Sequence, residues 1–192
     1  MKQPWSLSLL AATALCALLA VCASTASAQA VLAGDGAFVS PISGSYAGSG
    51  GGFALRLGRR VRLPGAWETP ELGFGYAVFA PGQNNADLTG FSAMRGVIGV
   101  RLTTSGVLRP GVFAHVGLGH VAGTVETHTG TLLVRDNIAR TAFTWDGGVT
   151  LDLALGASFE LGIHAAYDQI LKQRDLRNFQ WLELGGHLAL VF

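Results

Sequence analysis

Apolar residues recur at every second position in segment after segment from about residue 30 onward. In the segment 141–155, TAFTWDGGVTLDLAL, one face carries Phe143, Trp145, Val149, Leu151, Leu153 and Leu155, and the other carries Thr144, Asp146, Thr150 and Asp152. A period of two is the repeat of a β-strand, because successive side chains of a strand point to opposite faces. The helical period of 3.6 is almost absent, so the pattern predicts an all-β chain.

Eight strands are predicted, at about 30–40, 51–63, 69–79, 91–104, 108–122, 141–155, 157–171 and 179–192. The first has the weakest pattern, since VLAGDGAFVS alternates poorly. The connections alternate in length: those near 64–68, 105–107 and 156 are short, and those near 41–50, 80–90, 123–140 and 172–178 are longer and polar. This alternation indicates an antiparallel meander with short turns at one rim and loops at the other, with 123–140 as the longest loop.

The N-terminal segment has the three parts of a secretory signal peptide. Lys2 precedes the apolar run LSLLAATALCALLAVCA, and the small residues Ala26-Ser27-Ala28 follow it. We therefore predict a cleaved signal peptide over 1–28 and one barrel domain over 29–192. Both cysteines, Cys16 and Cys22, lie within the signal peptide, so the mature chain is expected to have no disulfide, thiolate metal site or thiol chemistry.

Composition decides between two barrel architectures. Mean hydropathy is +0.40 and only 13% of residues are charged, yet no apolar run after Ala30 approaches the 18 or so residues of a membrane helix. In a soluble barrel, Leu, Phe, Ile and Trp from all eight strands would overfill a small core, and the Gly- and Ala-rich face would make a poor surface. The sequence therefore predicts an eight-stranded antiparallel up-and-down transmembrane β-barrel with short periplasmic turns and longer external loops.

Charged residues fall mainly on the face that would line the lumen. The predicted lumenal ion-pair network consists of Arg56, Arg60, Arg95, Arg101, Glu71, Asp146, Asp152, Glu160, His164, Asp168, Glu183 and His187. Strand direction puts Arg60, Arg101, Glu71, Asp152 and Glu160 in a periplasmic layer, and Arg95, Asp146, Asp168 and Glu183 in an external layer. Unpaired charges in so narrow a space would be costly, so we expect paired charges and a plugged lumen.

Motifs for catalysis are absent from the sequence: there is no Gly-rich phosphate loop, GxSxG or HExxH. We expect no enzyme activity, no cofactor and no metal. His164 with Asp168, and Glu183 with His187, share strand faces and could form a proton or metal site, but we expect them to fill the ion-pair network. Without Lys2 the chain has twelve basic and twelve acidic residues, so no nucleic-acid partner is expected.

Two other functions remain open. Ser92 and His120 have lipid-facing parity at similar heights, as a lipid-modifying hydrolase would require, with Glu126 or Asp87 as the carboxylate that orients the histidine. The sequence lacks the His-x-Ser spacing of the lipid A deacylase family. A narrow solute channel is the other alternative.

The signal peptide, the alternating strands, the loop asymmetry and the terminal LALVF resemble the eight-stranded outer-membrane barrel superfamily of outer-membrane protein A and X and the opacity-type adhesins. The resemblance covers the whole mature chain. It implies export to the outer membrane of a diderm bacterium, contact with its lipids including lipopolysaccharide, and a structural or surface-interaction role. An extracellular ligand would bind through the loops, 123–140 above all, and the alternative for this segment is that TGTLLVRD extends the hairpin above the membrane.

In that superfamily, the barrel-assembly machinery reads the final strand during insertion. The resemblance assigns this signal to Phe192, Leu190, Leu188 and Leu184, with Gly186 departing from strict apolar alternation.

Overall fold

The computed structural model of the protein describes residues 28–42, 47–81, 88–129, 132–171 and 178–192. These residues form eight β-strands: β1 (Gln29–Pro41), β2 (Ala47–Leu63), β3 (Ala66–Pro81), β4 (Leu88–Thr104), β5 (Leu108–Thr129), β6 (Leu132–Ala154), β7 (Phe159–Ile170) and β8 (Phe179–Val191). Each strand pairs antiparallel with the next, and β8 pairs with β1 to close the barrel. The predicted fold is confirmed. The predicted signal peptide lies outside the described residues except for Ala28.

The three short connections lie at one rim, here called the turn rim, and span 64–65, 105–107 and 155–158. Each contains a glycine with positive φ: Gly65 at 75°, Gly106 at 133° and Gly156 at 89°. Other residues adopt this backbone conformation only at a cost, so glycine is what allows such tight reversals. The other connections lie at the opposite rim, here called the loop rim. No helix in the described part of the chain is long and apolar enough to cross a membrane.

Where side chains are described, their direction follows the predicted alternation along most of each strand. The outward face is apolar and open: Leu161 is 50% exposed, Ile163 61%, Leu184 64% and Leu55 56%. The inward face holds small, polar and charged residues, most of them buried. A sheet can cross hydrocarbon only if all its backbone hydrogen-bonding groups are paired and the side chains that face lipid are apolar. A closed barrel with this outward face meets both conditions.

The prediction of a loop at 123–140 is wrong, and the described residues of this segment form the alternative, an extended hairpin. Strand β5 continues to Thr129 and β6 starts at Leu132, and the two remain in register through Thr124↔Asn137 to Thr129↔Leu132. The segments GTVETHT and LLV are rich in Thr, Val and Leu, and the β-branched residues among them favour strand over loop. Among the described residues, β4 pairs with β5 as far as Val125, and β7 pairs with β6 from Thr144. The arms 126–129 and 132–142, here called the protruding hairpin, therefore continue past the described ends of the neighbouring strands.

Candidate functional site in the barrel lumen

The lumen is lined by one residue in two from all eight strands, and glycines provide the space for its long side chains. A Cβ on Gly75 would lie 2.9 Å from Nε of Arg95, and one on Gly99 would lie 2.5 Å from Cδ2 of His115. Both contacts would be too close for a real Cβ atom. Small residues on one strand thus make room for charged or aromatic residues on the next.

Arg95 is the centre of the layer nearer the loop rim. Its Nη1 lies 3.1 Å from Oδ2 of Asp146, its Nη2 lies 3.0 Å from Oε2 of Glu183, and Nη1 also pairs with Asp168. Asp168 is fully buried. The four residues come from β4, β6, β7 and β8, so one guanidinium connects strands across the lumen. A planar guanidinium with five donors is suited to such multiple contacts.

A histidine connects this layer to the middle of the barrel. Nδ1 of His115 lies 2.5 Å from Oδ1 of Asp146, and its Nε2 lies 2.7 Å from Oε1 of Glu71. An imidazolium can donate to both carboxylates at once, whereas a neutral ring can donate to only one. Glu71 also pairs with Arg56 at 3.2 Å and with Arg101 at 3.4 Å.

The layer nearer the turn rim centres on Glu160. Arg60 holds it with two parallel hydrogen bonds, Nη1–Oε1 of 2.6 Å and Nη2–Oε2 of 2.5 Å. Arg109 also pairs with Glu160, although its sequence position at the start of β5 had not marked it as lumenal. Asp152, on the adjacent β6, accepts a 2.5 Å hydrogen bond from Thr150.

Asp35 is a lumenal residue that the sequence analysis missed. Its carboxylate accepts hydrogen bonds of 2.9 Å and 2.7 Å from Nε and Nη2 of Arg56. Strand β1 carries small residues on both faces, which hides its alternation. The parity that Asp35 shares with Val31, Ala33 and Val39 could have identified it, since all four are buried.

Near the loop rim the lumen is closed by an aromatic cluster, which comprises Phe79, Phe91, Phe179 and Trp181. Trp181 and Phe79 are each 1% exposed, and the rings meet at centroid distances of 4.7–5.8 Å, mostly edge to face. The Arg95 guanidinium lies 5.7 Å from the Trp181 ring centroid. Below the cluster, a cavity of about 40 Å³ touches Arg56, Arg95 and His115; it has room for only a few water molecules.

The outward pair Ser92 and His120 lies on neighbouring strands. Ser92 is opposite Ala122, and His120 is opposite Met94, so the two side chains are diagonal neighbours on one face. Nδ1 of His120 is 2.9 Å from Oγ1 of Thr141 on β6. Of the suggested carboxylates, Asp87 lies outside the described residues, and Glu126 is opposite Arg135 in the protruding hairpin.

A closed eight-stranded antiparallel barrel with an apolar exterior and an ion-paired interior is the fold of the small outer-membrane β-barrels. The chain matches no protein-family model and no curated protein sequence. Solved structures of this class do match it. Neisserial surface protein A has 14% identity and a TM-score of 0.54, with 86% of this chain and 97% of that chain covered.

Two further solved structures have similar values. A major outer membrane protein from Thermus thermophilus has 13% identity and a TM-score of 0.54, over 85% of this chain and 99% of that chain. Ail, the attachment invasion locus protein of Yersinia pestis, has 13% identity and a TM-score of 0.51, over 86% and 98%. Together with the closed barrel, these matches establish an eight-stranded outer-membrane barrel fold.

Proposed function

We propose that the protein is a non-enzymatic integral barrel of the outer membrane of a diderm bacterium, with a closed lumen and a structural or surface-interaction role. One observation carries the proposal: the barrel exposes apolar side chains on its whole circumference, and its interior is filled by ion-paired and aromatic side chains. Such a molecule is stable in a bilayer and offers solutes no open path.

The lumen is closed by the aromatic cluster and by the ion-paired layers below it, of which those of Arg95 and Glu160 lie towards the two rims. A solute would have to displace the aromatic cluster and then break the contacts of Arg95 with Asp146 and Glu183. Separating buried charges in this way costs several kcal/mol per uncompensated ion.

Planar-bilayer recording tests this proposal. We expect no steady conductance from the protein purified from outer-membrane fractions. Trp181→Ala combined with Arg95→Ala and Arg60→Ala should produce measurable current, because together they weaken the aromatic cluster and the ion-paired layers towards both rims, whereas the matched outward change Leu182→Ala should remain silent. Large, steady conductance of the unaltered protein would refute a closed lumen.

The protruding hairpin of β5 and β6 is the surface best placed to contact an extracellular ligand. Its ladder continues past the described ends of the neighbouring strands, so its backbone lies beyond the part of the barrel that the other strands form. Ail, whose name describes attachment and invasion, has the same fold, which supports a surface-interaction role for this architecture.

The final strand has a second proposed role, as the signal for the barrel-assembly machinery. Leu184, Leu188 and Leu190 point outward on β8, and Phe192 is 72% exposed. The backbone of Phe192 exchanges hydrogen bonds of 2.7 Å and 3.0 Å with Ala30. The apolar row is therefore held at the seam where the barrel closes.

A further inference from the structure

Three adjacent strands bring Asp35, His164 and His187 to one level of the lumen. Asp35 on β1 is the direct partner of His187 on β8. Between β7 and β8, His187 is opposite Gly162 and His164 is opposite Gly185. A Cβ on Gly162 would lie 2.5 Å from Cε1 of His187, and one on Gly185 would lie 2.7 Å from Cε1 of His164. Each glycine thus leaves room for the imidazole of the histidine opposite it. The ring centroids of His164 and His187 are 5.9 Å apart.

Each histidine has one ring nitrogen bound to a carboxylate. Nε2 of His164 is 3.1 Å from Oε1 of Glu183, and Nε2 of His187 is 3.1 Å from Oδ1 of Asp152. An ionised carboxylate only accepts hydrogen bonds, so Nε2 carries the proton in both rings. In a neutral ring this leaves Nδ1 with a free lone pair.

Both Nδ1 atoms point towards Asp35. They lie 3.7 Å (His164) and 3.9 Å (His187) from its Oδ1, and neither has a hydrogen-bond partner among the described residues. The two histidine side chains are only 4% and 3% exposed. Buried polar nitrogens without a partner are rare and call for an explanation.

The spacing fits metal ligands better than hydrogen bonds. A hydrogen bond would need a nitrogen–oxygen distance of roughly 2.7–3.2 Å. Ligands about 2.0–2.1 Å from a tetrahedral zinc ion are themselves about 3.4 Å apart. The three ligand atoms lie within 4.8 Å of one another, so movements of some tenths of an ångström would bring them into this geometry.

We propose that Nδ1 of His164, Nδ1 of His187 and Oδ1 of Asp35 bind a divalent transition-metal ion of the zinc class, with water completing the coordination. Glu183 and Asp152 orient the two imidazoles, and Arg56 fixes the carboxylate of Asp35 by donating to both of its oxygens, which leaves Oδ1 a further lone pair for the metal. Carboxylate–histidine–metal chains of this kind are the usual support of metal-bound histidines.

The charges of the lumen are compatible with an added cation. The ion-paired groups include five arginines (Arg56, Arg60, Arg95, Arg101 and Arg109) and seven carboxylates (Asp35, Glu71, Asp146, Asp152, Glu160, Asp168 and Glu183). With His115 counted as an imidazolium, these named groups carry one more negative than positive charge. Three of the carboxylates, Asp35, Glu183 and Asp152, contact the two histidines directly.

Cobalt and zinc titration tests the site. The protein from outer-membrane fractions is stripped with a chelator, unfolded, and refolded in detergent micelles with or without Co²⁺, so that access to the lumen is not limiting. We expect one equivalent of Co²⁺ with the d–d absorption of imidazole ligation, displaced by Zn²⁺. Asp152→Asn should weaken binding roughly 10–100-fold, and His164→Gln or His187→Gln by more.

The matched control is His120→Gln, which removes a histidine from the outward face of the barrel and should leave binding unchanged. Equal Co²⁺ binding by the unaltered protein and by the double variant His164→Gln/His187→Gln would overturn the proposal. If these variants fail to refold, ¹⁵N imidazole spectra of the unaltered protein decide: Zn²⁺ should shift the Nδ1 signals of His164 and His187, and unchanged signals there would refute the site.

Discussion

Arg95 shows how single residues determine the interior of this barrel. Its guanidinium contacts three carboxylates from three strands and lies against the Trp181 ring. Buried ion pairs add little net stability, because desolvation cancels much of the attraction, but loss of one partner leaves the others uncompensated. The main effect of losing Arg95 would therefore be three buried carboxylates without a cation.

Arg95→Met should destabilise the folded barrel by about 3–5 kcal/mol, since three buried carboxylates would lose their cation. Urea unfolding in lipid vesicles measures this. Arg62→Met is the matched control, because Arg62 is exposed near the turn rim and lies over Trp67; we expect it to cost at most about 1 kcal/mol.

A double-mutant cycle separates charge from packing. Adding Asp168→Asn to Arg95→Met should recover part of the lost stability, because it removes one of the uncompensated charges. Strictly additive losses would show that the guanidinium acts through its volume alone.

Residue parity predicts the lumenal side for most of the ion-paired residues, but it does not predict which of their atoms meet. The external layer of Arg95, Asp146, Asp168 and Glu183 follows from strand direction and spacing, and the structure brings these four residues together. Asp35 and Arg109 were missed, because the small residues on both faces of β1 hide its alternation and Arg109 lies beside a turn. Nor does parity give the hydrogen bonds of histidine rings, which depend on barrel shear and on the glycines opposite them.

Among the strands, the part that forms the closed barrel and the protruding hairpin are stabilised in different ways. Within the span, each strand is paired on both edges and its outward side chains form part of the apolar belt. Beyond Val125 and Phe143, the pairing that the structure describes for β5 and β6 is with each other. The error at 123–140 arose here, because polar residues suggested a loop where β-branched residues support a ladder.

Replacing 126–135 with the turn Asn-Gly should therefore leave the barrel intact. Thr124 Oγ1 already donates a 3.1 Å hydrogen bond to Oδ1 of Asn137, which marks the last described side-chain contact between the two arms. We expect unchanged heat-modifiable migration on unboiled gels. The free energy of unfolding should fall by less than about 1 kcal/mol, as is usual for changes at surface positions that pack against nothing else. The control exchanges 126–135 for a Gly/Ser segment of equal length. Loss of the folded band in both variants would show that the barrel depends on the hairpin.

For the whole molecule, the direction of the apolar face determines the environment it needs. Ile98 is outward and 45% exposed, and its register partners Leu72 and Val116 are also apolar. Val107, in a short turn, is 68% exposed at the rim. In water both positions would be ordinary protein surface. In a bilayer, Ile98 would lie in hydrocarbon and Val107 would lie near the headgroups.

Arginine at each position distinguishes these environments. Ile98→Arg should cost about 2–4 kcal/mol in lipid vesicles and Val107→Arg about 0–1 kcal/mol, because the cost of a lipid-facing charge falls from the midplane to the interface. Urea unfolding followed by tryptophan fluorescence measures both. Equal, small losses would mean that the apolar belt does not lie in hydrocarbon, and the membrane location would then be wrong even though the barrel fold stands.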